Sequence, residues 1–147
     1  MKIEKIEGGS IWIDVFVGST VAINTIGCLA WSAAVIFKKI QEGKIIEQHV
    51  RSLKIKNDSL DDIKKAQKEE LDVLVEAEAK SINDKFFKPE NNEQIERIKN
   101  SIKLLSGQLQ KGAEIHPPLE APENVVNLFP KMPDILGIES KIKQLTD

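Results

Sequence analysis

Between Ile11 and Phe37 the chain runs 27 residues with a single formal charge, Asp14. As a helix at about 1.5 Å per residue this stretch reaches roughly 40 Å, more than the ~30 Å hydrocarbon core of a bilayer. The remainder is highly charged and rich in helix formers. The expected fold class is all-α: a single transmembrane helix, a cytoplasmic helical hairpin or coiled coil, and a Pro-rich C-terminal segment with a short amphipathic helix. The first ten residues balance Lys2 and Lys5 against Glu4 and Glu7. They lack the positive region of a signal peptide, and the apolar run exceeds the usual signal length.

The run carries two further signals of a membrane segment. Trp12 and Trp31 stand 19 residues apart, about 28 Å along a helix, which places one indole near each interface. Lys38 and Lys39 end the run and complete the set of expected interfacial anchors. Counting these two, six Lys or Arg fall within twenty residues after the run, against two on the N-terminal side. This asymmetry orients the C-terminal part into the cytoplasm, with the helix in an inner or cytoplasmic membrane.

Steps of three and four pick out Asp14, Gly18, Val21, Thr25, Cys28 and Ser32, and Ala22 pairs with Gly18. In lipid, apolar side chains do not drive helices together. Small residues that admit close backbones, and hydroxyls that bond across, do. These seven positions are the expected helix-association face of a homo-oligomer. The N-terminus has an alternative reading, because Met1–Glu7 and Ser10–Val17 are β-compatible and joined by Gly8-Gly9, a hairpin signal. The membrane helix would then begin near Gly18.

The expected organisation is a tail or first strand over 1–10, the transmembrane helix over 11–37 and a basic juxtamembrane helix over 38–57. A helical hairpin over 58–112, a linker over 113–134 and an amphipathic helix over 135–147 follow. Ser59 suggests the cap of the first hairpin helix, which is acidic. The second, Asn92–Lys111, spaces Ile95, Ile98, Ile102, Leu105 and Leu109 along one face, and Gly112 closes it. A parallel coiled coil from Ile46 through Leu74, with Asn57 setting register, is the alternative to the hairpin. The linker holds Pro117, Pro118, Pro122, Pro130 and Pro133, and within it Val125, Leu128 and Phe129 form a possible docking segment. This segment and the final amphipathic stretch either pack back on the hairpin or dock another protein.

No motif supplies chemistry. There is no phosphate-binding loop, and His49 and His116 stand without partners at metal-ligand or nucleophile spacing. One cysteine excludes an intrachain disulfide. A net charge of −2 and the absence of Tyr argue against nucleic acid. The 19 Lys against two Arg suggest an AT-rich bacterial or phage genome. No enzyme, cofactor or metal is expected; the expected partners are the lipid bilayer, further copies of the chain, and a protein docking on the helical part. Three functions follow: a self-associating anchor, scaffold or subunit of a membrane complex; a pore-forming effector lined by Asp14, Thr25 and Ser32; or a subunit of a soluble or virion assembly with the apolar helix buried.

Overall fold

The computed structural model describes residues 2–7, 10–14, 20–54, 57–87, 91–116, 123–128 and 137–138. Two short strands, β1 (Lys2–Glu7) and β2 (Ser10–Asp14), pair antiparallel, with Ile3 opposite Ile13 and Lys5 opposite Trp12. This corrects the expectation of helix from Ile11, as Ile11, Trp12 and Ile13 are β-branched or aromatic and suit a strand. Four helices follow: α1 (Thr20–Ser52), α2 (Asn57–Phe86), α3 (Asn92–Gln110) and the short α4 (Glu123–Leu128).

The boundaries have local causes. The apolar segment and the basic stretch expected after it form one continuous helix, α1. It ends where Lys54 adopts a left-handed backbone (φ 52°). The chain reverses there, so Ile46 and Leu74 are not on one helix and the continuous coiled coil is excluded. α2 begins at Asn57, which puts Ser59 inside the helix rather than at its cap. Asn91 caps α3, its side chain accepting from the backbone N–H groups of Glu93 and Gln94. Gly112 closes α3 at φ 87°, and the N–H groups of Gly112 and Ala113 donate to the carbonyls of Leu109 and Gln108. That pattern is a Schellman motif, which needs the conformation glycine adopts freely.

Polar contacts fix the directions of the helices. Ser32 meets Glu78, Lys39 meets Glu70 and Gly43 meets Gln67, so numbers fall along α2 as they rise along α1. Asp72 meets Lys103 and Glu76 meets Lys99, which reverses the direction again. The result is an up-down-up three-helix arrangement. Its core joins Ile36 of α1, Val75, Ala79 and Ile82 of α2, and Ile95, Ile98 and Ile102 of α3. A second cluster joins Ala33, Ala34 and Val35 to Leu109 and to Ile138 from the C-terminal segment.

Candidate functional site

The feature of this molecule that no simple helical bundle needs is α1. Its N-terminal half is long and apolar enough to cross a membrane, yet 39% of that apolar window is buried within the chain. At 100° per residue, positions on α1 separate into sides. Cys28, Ser32, Lys39 and Gly43 share the side toward α2. Leu29, Ile36 and Ile40 point into the core cluster with α2 and α3. Trp31, Ala34 and Lys38 follow at steps of three and four on a third side.

The side toward α2 is polar. The Ser32 hydroxyl donates to Oε2 of Glu78 at 2.7 Å, and both residues are buried. A carboxylate taken out of water is costly unless donors satisfy it. Ser32, in the middle of the apolar run, supplies one. Near the outer ends of this seam Lys39 pairs with Glu70 at 2.7 Å and the Gln67 amide donates to the Gly43 carbonyl. Half-buried Cys28 lies 3.9 Å from Nζ of Lys85.

The third side is met by the C-terminal segment. Ile138 is 3% exposed and packs in the cluster with Ala33, Ala34 and Val35, against which half-buried Trp31 and Phe37 also lie. Nζ of Lys38 donates to the Ile138 carbonyl at 2.8 Å, across 100 positions of sequence. α4 also touches α1. At Ile138 the C-terminal segment therefore packs back on the bundle, with α1 and Leu109 of α3 as its seat.

The residues expected to carry function are distributed as follows. Cys28 and Ser32 of the small-residue stripe face α2 of the same chain. Thr25 bonds back to the Val21 carbonyl of its own helix. Val21, beyond the reach of α2, is 60% exposed, and Ala22 is half-buried. Asp14 closes β2 opposite Lys2 and Trp12 lies within β2, while Gly18 is outside the described residues. Of the interfacial anchors, Lys38 and Lys39 are engaged by Ile138 and Glu70. Val125 and Leu128 fall in α4, and Phe129 is outside the described residues.

Sequence reasoning missed Glu78, although a signal existed. Glu78 continues the spacing of Leu71, Val75 and Ile82, a charged residue in an apolar stripe. Asn83 was also missed. It is fully buried, and neither its amide oxygen nor its nitrogen has a hydrogen-bond partner among the described residues.

The outer groove between α2 and α3 is lined by Asp72, Val73, Glu76, Ala77, Lys80, Lys99 and Lys103. Its charges are paired with one another: Lys99 and Lys80 with Glu76, and Lys103 with Asp72. Hydrogen bonds from Lys99 and then Lys80 hold the Glu76 carboxyl below its ordinary value, and Glu76 and Glu96 push Lys99 up. Among the described residues no cluster of three or more His, Cys, Asp or Glu could hold a metal ion.

No family model matches the chain and no solved structure matches it. It is similar to the uncharacterized protein YqaP of Bacillus subtilis (strain 168), at 30% identity over 141 residues. That similarity covers 88% of this chain and 44% of YqaP, so the chain spans less than half the length of the curated relative it matches.

Proposed function

We propose that the chain is a non-enzymatic, single-pass membrane protein, an anchor, scaffold or subunit of a membrane complex, whose membrane-seeking helix α1 is sheathed until it enters the bilayer. The supporting observation is that α1 is more apolar than its place in the bundle requires. A bundle helix needs one apolar stripe. From Val21 through Phe37 α1 carries no charge and only Asn24, Thr25 and Ser32 as polar hydrogen-bonding side chains besides the Trp31 indole, and it draws partial cover from α2, α3 and the C-terminal segment.

The sheathed and inserted states exclude each other on physical grounds. The length of α2 lying along this half of α1 carries Glu76, Glu78, Lys80, Asp84 and Lys85. Each charge placed at the bilayer centre costs at least about 2.5–3.5 kcal/mol. Insertion therefore requires α2 to swing away. It also frees Cys28 and Ser32, which join Val21, Ala22 and Thr25 in a stripe that a second α1 can then fill, with Lys38 and Lys39 at the cytoplasmic boundary.

The test is flotation of the full chain with vesicles, followed by carbonate extraction and disulfide cross-linking through Cys28. Carbonate-resistant binding with a cross-linked dimer, weakened by Gly18→Ile or Thr25→Leu, is the expected result. Complete release by carbonate as a monomer rejects the proposal. A second reading is a soluble assembly subunit with α1 permanently in the core; the buried Ser32–Glu78 hydrogen bond favours it. Stable, monodisperse protein in water that never binds vesicles would establish that reading instead.

A further inference from the structure

We propose that the side of α1 bearing Trp31, Ala34 and Lys38 is a lipid-contact surface, and that the C-terminal segment at Ile138 is the strap that keeps it covered. This rests on the membrane reading above and says which side of the sheath opens to lipid. Of the three covers on α1, two are whole helices. α2 is held by the buried Ser32–Glu78 bond and the Lys39–Glu70 pair, and α3 is set into the central core. Among the described contacts the third cover meets α1 through the Ile138 side chain, one hydrogen bond from Lys38 to the Ile138 carbonyl and the short α4, with Leu109 of α3 in the same cluster. It follows a Pro-rich stretch of sequence.

The surface beneath this cover has the chemistry of a bilayer boundary. Trp31 offers an indole, whose amphipathic ring prefers the interface. Ala30 and Ala34 offer a smooth apolar strip, both buried. Lys38, two turns past Trp31 or about 10 Å along the axis, carries a long stem that reaches headgroups while its methylenes stay in the apolar layer. Cations in this position favour anionic headgroups. The occupant that replaces Ile138 is therefore a bilayer with anionic lipid, and the Lys38 ammonium exchanges a backbone carbonyl for a lipid phosphate.

The experiment uses the full chain with Trp12→Phe, which leaves Trp31 as the only indole. Ile138→Asp and the milder Ile138→Ala are compared with it after circular dichroism shows retained helix. In water, acrylamide quenching of Trp31 should rise about twofold in Ile138→Asp, because the indole loses a covering neighbour. On vesicles of phosphatidylcholine and phosphatidylglycerol with brominated chains, partition should rise about tenfold, as expected when one isoleucine no longer competes with lipid. Trp31 should be quenched by the bromines.

Unchanged acrylamide quenching in both folded variants overturns the strap, whatever the vesicles do. Raised acrylamide quenching, with no bromine quenching in any of the proteins, overturns the lipid assignment and the membrane reading with it. If the exposed variants dimerise by light scattering and ignore vesicles, the face belongs to a second copy, and the lipid assignment is again overturned.

Discussion

α1 and α3 run in the same direction against the same partner, α2, and they solve the problem of being a bundle helix differently. α3 buries Ile95, Ile98, Ile102 and Leu109 on one side and presents Glu93, Glu96, Arg97 and Lys103 to water. Its outer charges bond within the helix and across to α2. Nothing in it exceeds what a water-soluble helix needs. α1 has an outer face of that kind only after Phe37. Before it α1 carries no charge, and its apolar positions from Ile23 to Ile36 are partly or fully covered by other parts of the chain, while Val21 and Asn24 are exposed. The two helices share a core and differ in their preferred solvent. For that reason the stability of α3 reports on the bundle, whereas the exposure of α1 reports on the balance between bundle and membrane.

The largest effect that separates the two is expected from Ile102→Ala. Ile102 is fully buried at the centre of the core. Truncation should cost about 2–5 kcal/mol through lost transfer energy and an unfilled cavity. Urea unfolding followed by far-ultraviolet circular dichroism measures the loss. If α1 is a membrane-seeking helix held in a sheath, the same variant should bind vesicles more tightly than the native chain. If binding stays absent while stability falls, α1 belongs to the core as fully as α3 does.

Ser32→Ala is expected next in size, at about 1–3 kcal/mol, since it removes a donor from a buried carboxylate. Thr25→Leu makes the informative control: Thr25 lies on the same stripe but bonds only to its own helix. Its stability should stay within about 0.5 kcal/mol of the native chain, as for changes away from buried features. Equal losses at both positions would mean that the stripe is not divided where α2 ends.

This division marks how far the sequence could be read. α3 was legible as a helix, because its signals are local: one apolar period and Gly112 after it; its Asn91 cap was not read. α1 was legible as a long apolar helix, down to the Lys38-Lys39 boundary of its apolar half. Its coverage was not. The partner of Ser32 lies 46 positions away, and Glu78 is one of nine acids between Asp58 and Asp84. A stripe of small residues looks the same whether its partner is a second α1 or α2 of the same chain, since close approach of backbones demands the same residues in both cases. Ile138 was legible as part of a final amphipathic stretch, but its seat was not, because that pattern fits a place on the bundle and a docking partner equally well.

Asn83 sharpens the comparison in the opposite direction. An amide buried with both atoms unpartnered among the described residues is a standing penalty on the bundle, and no local rule asks for it there. Asn83→Leu keeps a similar volume and removes the polar atoms, so it should raise stability by about 1 kcal/mol. In the membrane reading it should also lower vesicle binding, because it deepens the sheathed state alone. Stabilisation without any change in binding would uncouple the two.

The smallest effect is expected from the α2–α3 clasp, and its sign is fixed by the titrations. Lys99 and Lys80 hold the Glu76 carboxyl below its ordinary value of 4.5, so its pairing contributes above that value and is lost as pH falls through the lowered one. Lys99 is pushed up by Glu76 and Glu96, so its share is present throughout the neutral range and is lost only in strong alkali. Glu76→Gln should therefore lower the thermal midpoint slightly at neutral pH. The difference from the native chain should shrink once pH drops below 4.5 and vanish in stronger acid. Because the pair is solvent-facing, added salt should reduce the difference as well. A difference that ignored both pH and salt would mean that Glu76 holds α3 by packing of its stem, and the contrast between a charge-laced α3 and an apolar α1 would lose one of its supports.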